Sequence, residues 1–142
     1  MRFMILRRAD PDTEAGTLPS EVLLTAMGDY MEAMNRAGIL LAAEGLHPSA
    51  KSTLVRFQNG RPTVLDGPFA ETKELIAGYC LIQVGSKQEA LDWVMRWPAL
   101  DAGGNVVLEL CPLFEADDFG EEFTPELREA EERTRAERSA RS

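Results

Sequence analysis

One histidine, two cysteines, two tryptophans and two tyrosines are all that this 142-residue chain has of those types. Each scarcity excludes something. A transition-metal centre needs clustered imidazole or thiolate ligands, and a single His47 with no cysteine cluster does not supply them. Cys80 and Cys111 lie far apart, each in an apolar run. A disulfide between them is open in principle, but two small buried hydrophobes in a reducing compartment fit better. No phosphate-binding glycine loop, G-x-S-x-G or C-x-x-C occurs, and Gly103-Gly104 is a loop ahead of a strand. No metal and no cofactor is expected. The opening apolar run, Phe3 to Leu6, is too short for a membrane span or a signal peptide. A cytoplasmic protein without a membrane partner is therefore expected. Basic residues are also in deficit. Fifteen Lys and Arg face 24 Asp and Glu, for a net charge of -9. That charge repels phosphate backbones and anionic lipid, which argues against direct nucleic-acid binding.

What is present is the composition of one globular domain. The length is typical of a single domain, and 44% of the residues are hydrophobic. Phe3 to Leu6 reads as a buried first strand. Arg8 to Thr17, rich in Asp, Pro, Glu and Gly, reads as a loop. Ser20 is placed to cap a helix from Glu21 to about Ala37, with Leu23, Met27, Tyr30, Met34 and Ala37 on one face and Gly38 as its stop. Ile39 to Ala43 and Ser52 to Phe57 read as strands. Asn59-Gly60 is a strong hairpin signal, with Arg61 to Leu65 as the returning strand. Gly78 to Val84 is a further strand. Ser86-Lys87-Gln88-Glu89 is a capping box that opens a helix with Ala90, Val94 and Trp97 inward, ended by Pro98. Asn105 to Phe114 is the last strand.

This order predicts an α+β domain of split β-α-β, ferredoxin-like topology with an inserted hairpin, covering residues 1–114. Two helices cover only one face of its antiparallel sheet, and a second subunit would cover the other. Residues 115–142 change character. Glu115 to Gly120 is acidic, and Thr124-Pro125 opens a charged helix to about Arg138, with Glu129/Arg133 and Glu131/Arg135 spaced as ion pairs. It is a solvated extension, with Phe119, Phe123 and Leu127 available to anchor it on the domain or a second subunit.

The chemistry-bearing candidates cluster around Asp66-Gly67-Pro68-Phe69. Asp66 either closes an Asx-type turn or stands as a rigid carboxylate for proton transfer. His47, in Glu44-Gly45-Leu46-His47-Pro48, is either a turn residue or its proton partner, because imidazole titrates near neutrality. Lys73 is either part of a solvated segment or a contact for an anionic ligand. Glu44 is a candidate for acid–base work or ligand binding, Tyr79 is either core or lines a ligand cleft, and Trp93 and Trp97 read as core.

The run Asp66-Gly67-Pro68-Phe69-Ala70-Glu71-Thr72-Lys73-Glu74 resembles the signature of the YCII-related proteins, specifically their DGPF subgroup. Phe3 to Leu6, Ala43 to Pro48 and Ala77-Gly78-Tyr79 extend the resemblance over residues 1–114 in the same order. It implies a ferredoxin-like fold that dimerises through its sheets as a dimeric α/β barrel. It also implies a pocket with a His-Asp acid–base dyad, for which Asp66 matches the motif carboxylate. The dyad histidine of YCII-type relatives sits in the first helix, and this chain has none between Glu21 and Ala37. His47 resembles instead the histidine of the loop after the second strand in this branch of the subgroup. Association of the subgroup's genes with extracytoplasmic-function sigma factors implies a regulatory role with a sigma factor as partner. The expectation is thus a homodimeric module that binds a small ligand or a regulatory partner, with a small-molecule enzyme using Asp66 and His47 as the alternative.

Overall fold

Alternation along the first strand sets the sheet. In β1 (Arg2–Arg8) Phe3 and Ile5 are buried, and Arg7 follows them on the same face. The computed structural model describes residues 1–141, leaving aside the side chain of Lys73. They form two compact units, Met1–Pro112 and Leu113–Ser142.

In the first unit, α2 (Glu21–Arg36) starts at Ser20, whose Oγ accepts from the Leu23 amide at 3.1 Å. It stops where Gly38 takes a φ of 74°. β2 (Leu40–Gly45) and β5 (Ile76–Gln83) follow as sheet strands. α3 (Lys87–Val94) is capped by Ser86, which accepts from the Glu89 amide. The Glu89 carboxylate accepts in turn from the Gly85 amide. β6 (Leu108–Pro112) closes the unit. The sheet order is β2-β5-β1-β6 with every neighbouring pair antiparallel. This is the split β-α-β arrangement of a ferredoxin-like α+β fold.

Register sorts the residues into two faces. Ile5 pairs with Cys80 and Leu110, and Phe3 with Ile82. This face packs with Tyr30 and Met34 of α2 and Ala90 of α3 into one core. The Tyr30 hydroxyl donates to the Trp93 carbonyl, and its ring meets Trp97 edge-on at 5.5 Å. On the opposite face Met4 pairs with Leu81 and Cys111, and Leu6 with Tyr79 and Glu109. These side chains are half-buried. Arg8 pairs with Glu109 there, and the Cys111 thiol donates to the Glu109 carboxylate.

Three local expectations are corrected. The segment Arg8 to Thr17 is not all loop, because α1 (Pro11–Glu14) forms within it. Asp10 and Thr13 exchange side-chain and backbone hydrogen bonds as a capping box, with Pro11 in the first turn. The helix opened by Ser86 ends at Val94, before Trp97. The final strand is shorter than Asn105 to Phe114, because a tight turn over Asp101–Gly104, with left-handed Ala102 and Gly103, delays its start.

The inserted hairpin is a separate two-stranded sheet, β3 (Thr53–Gln58) and β4 (Arg61–Asp66). Asn59 and Gly60 both take positive φ, 52° and 76°, as a tight hairpin turn of the primed type requires. Every residue of its two strands is exposed.

In the second unit a short turn over Ala116–Asp118 precedes α4 (Pro125–Arg141), which runs a little past its expected end. Phe114 stacks on Phe119 at 4.9 Å and Phe119 meets Phe123 at 5.3 Å. Arg128 pairs with Asp117, and Arg135 with Glu131 one turn away. Among the described residues, no helix is long and apolar enough to cross a membrane.

Candidate functional site

The first unit encloses a cleft of about 730 Å³ between one end of the sheet, α1, the first half of α2 and the Asp101–Gly104 turn. One wall is apolar, with Leu23, Met27 and Met31 at the four-residue spacing of one helical face. Leu18, Leu46 and Leu100 line it with substantial exposure.

The polar floor starts from Arg7. Its position after Phe3 and Ile5 places a guanidinium on the buried face, where an unpaired charge is costly. Its Nε and Nη2 donate to the two oxygens of Asp101 at 3.2 and 2.7 Å. Nη1 donates to Asp10 at 3.0 Å and to the Arg8 carbonyl at 2.9 Å. Asp101 is 4% exposed and also accepts from the Trp97 indole at 2.9 Å. Burial alone pushes the Asp101 carboxyl up, but the bonds from Arg7 and Trp97 and the Arg7 charge outweigh it and hold the group below the usual carboxylate range. Asp10 is held down in the same way, its burial outweighed by the Thr13 amide and Arg7. Arg7 is raised, its own burial outweighed by the two carboxylates. Beside Met31, burial pushes the Cys80 thiol up to about 11, so it stays protonated at neutral pH.

Glu44, His47 and Tyr79 all border this cleft. His47 is exposed in the loop after β2. Glu44 and Tyr79 are register partners on adjacent strands. The pleat turns their side chains away from the face that holds Cys80 and Ala43, toward the helix-free face of the sheet. Asp66 is not among the cleft-lining residues. It ends β4, exposed, and its Oδ1 accepts from the Thr53 hydroxyl at 2.9 Å across the hairpin. Lys73, the expected anion contact, lies outside the described side chains. Among the described residues, no group of three or more His, Cys, Asp or Glu is placed to hold a metal ion.

The D-G-P-F turn is held from below by the short turn Ser49–Lys51. Ser49 is 4% exposed, and its Oγ accepts from the Phe69 amide at 3.0 Å and donates to the Glu14 carboxylate. Glu14 also accepts from the Ser49 amide. The Gly67 amide donates to the Ser52 carbonyl at 2.9 Å. A Cβ on Gly67 would lie 1.8 Å from the Ser49 carbonyl oxygen, so only glycine fits this backbone-on-backbone approach. The Gly67–Pro68 peptide is cis.

Arg7, Asp10, Trp97 and Asp101 were not singled out as site residues by sequence. One signal was available. Arg7 continues the buried alternation of Phe3 and Ile5, and a charge there demands a counter-charge. Which acid answers it, 94 positions along the chain, has no local sign.

The model of the YCII-related domain matches residues 1–113. An uncharacterised protein of Rhizobium meliloti strain 1021 is 44% identical over 57 residues, which are 40% of this chain and 46% of that protein. The match thus spans about half the length of that curated relative. Among solved structures, the 5-chloro-2-hydroxyhydroquinone dehydrochlorinase of Burkholderia phenoliruptrix AC1100, in complex with 2,5-dihydroxybenzoquinone, is similar at 16% identity and a TM-score of 0.41. That likeness covers 77% of this chain and 91% of the dehydrochlorinase.

Proposed function

We propose, from the premise that this chain belongs to the YCII-related domain family, that its cleft takes up a small organic ligand in a homodimeric binding or regulatory module. The Asp66-to-Glu74 run supports, within this proposal, membership of the DGPF subgroup. The cleft itself carries the idea. Its volume of about 730 Å³ suits a small molecule, and it joins an apolar wall to a few convergent polar groups. The Arg7–Asp101–Trp97 network supports it from below, because a fully bonded floor holds its shape when a ligand arrives. The half-buried Met4, Leu6, Tyr79 and Leu81 on the helix-free face of the sheet support the homodimer, since a second copy covers such a face economically.

The test is ligand-observed NMR against a library of small aromatic and aliphatic compounds, with Met27→Trp as the control. That substitution fills the cleft from its apolar wall. Compounds should bind the native chain and lose binding to Met27→Trp while the variant keeps its circular dichroism. Binding that is equal in both places the ligand elsewhere. A sigma factor as regulatory partner is tested by retention on the immobilised protein. In the catalytic alternative His47, at the cleft, and Asp66, at the hairpin base, share the proton work. It requires that His47→Gln and Asp66→Asn each abolish turnover of a bound compound in a folded protein.

A further inference from the structure

We propose that the β3–β4 hairpin is an arm that docks on the acidic, aromatic segment 114–123 of a second copy of this chain. This rests on the homodimeric part of the function proposed above and assigns it a specific contact.

A two-stranded hairpin alone is marginally stable in water. Here neither face of the pair is covered, because every residue of both strands is exposed. Register places Val55 opposite Val64 and Phe57 opposite Pro62, so the four side chains share one face. Phe57 and Val64 are each 69% exposed. A contiguous apolar face of this kind marks an interaction surface.

Charge selects the occupant. Residues 51–66 contain Lys51, Arg56 and Arg61 against the single acid Asp66, within a chain of net charge -9. The arm is therefore basic on an acidic protein. Nucleic acid or an anionic membrane would meet the repulsion of the rest of the molecule. Another copy of the chain presents the opposite balance. Residues 115–126 hold Glu115, Asp117, Asp118, Glu121, Glu122 and Glu126 with no Lys or Arg. Its flank also displays an apolar surface. Phe114 stacks on Phe119, and the two rings are 69% and 49% exposed. The apolar arm face would meet the phenylalanine cluster, while Arg56 and Arg61, on the other face by the same alternation, would reach round the narrow two-stranded hairpin to the carboxylates beside it. Arginine guanidinium also stacks favourably on aromatic faces.

Sedimentation of the full chain across concentration and salt reads the contact directly. Two charge-reversed chains are made, Arg56→Glu/Arg61→Glu in the arm and Glu121→Arg/Glu122→Arg in the acidic segment. All four positions are exposed, and circular dichroism checks that both chains fold. The native chain should dimerise more weakly as salt rises, and each variant alone should show a dimer Kd raised at least about tenfold. A one-to-one mixture of the two variants should recover dimer, because each reversed arm then faces a reversed segment. A native chain that stays monomeric overturns both the homodimer and the arm contact. Variants with native Kd values overturn the arm contact alone and leave the dimer to the open sheet face. Variants that dissociate without rescue on mixing overturn the acidic segment as the arm's occupant.

Discussion

Two aspartates invite comparison. Asp66 belongs to the most recognisable stretch of the chain, yet it is exposed and holds one hydroxyl across the base of a hairpin. Asp101 sits in an undistinguished run, Ala99-Leu100-Asp101-Ala102, yet it is buried and accepts from both Arg7 and Trp97. The memorable motif closes backbone on backbone, while the unremarkable aspartate builds the floor of the cleft. A signature can therefore be specific because a turn tolerates few residues, independently of any chemistry it performs. Gly67 shows this most plainly, since it lies against the Ser49 carbonyl with no room for a methyl group.

That contrast can be broken from its strong side first. Asp101→Ala leaves the largely buried Arg7 side chain, 11% exposed, with Asp10 and the Arg8 carbonyl only. Removing one partner of a buried pair costs about 3–5 kcal/mol, and the surviving bonds put this case near about 3 kcal/mol. Urea denaturation at neutral pH measures it. The same carboxyl gives the acid limb of stability its shape. Its folded value lies below the ordinary 3.8, so its contribution is complete above that pH and is lost as pH falls through the lower folded value. Stability of the native chain should therefore drop more steeply than that of Asp101→Asn below about pH 4, as read by thermal melts across that range.

Gly67→Ala comes next. The added methyl forces the D-G-P-F backbone off Ser49, and overpacking of this kind costs about 1–3 kcal/mol. Equality with the native chain in a melt would show that the turn yields easily. Ser49→Ala removes the acceptor of the Phe69 amide and a donor to Glu14, for about 1–2 kcal/mol. Its companion readout is amide hydrogen exchange, which should rise at Phe69 while the sheet core stays protected. Asp66→Asn is the smallest change. It keeps an acceptor for the Thr53 hydroxyl and should cost about 1 kcal/mol or less. A larger loss would give Asp66 a structural weight that its exposed position does not account for.

Much of the fold was legible because its signals are local. Ser20 and Ser86 cap the helices they were expected to cap, and Asn59-Gly60 turns the hairpin. Alternation in Phe3 to Arg7 and in the strand around Cys80 separates core face from open face. The misses are also physical. Asp10-Pro11-Asp12-Thr13 has the composition of a loop, and only the reciprocal bonds of the capping box show a helix. Trp97 looked like the last inward residue of a helix, but its indole needed a partner, and the chain leaves helical geometry before it to reach Asp101. At the site, His47 was named from the loop after the second strand, Glu44 from its place beside Gly45 and Tyr79 from the face of its strand, and all three border one cleft. Asp66 was named from its motif and lies in the hairpin instead.

The sequence by itself determined the elements, their order, the split β-α-β class and the family, because caps, turns and side-chain alternation act within a few residues. Only the tertiary structure decided that Arg7 meets Asp101, that Ser49 receives the Phe69 amide, and that the hairpin stands as its own sheet with both faces open. Those contacts join residues far apart in the chain. Their partners are selected by the cost of leaving a buried charge or a backbone amide unpaired, and that cost exists only once the chain has closed around them.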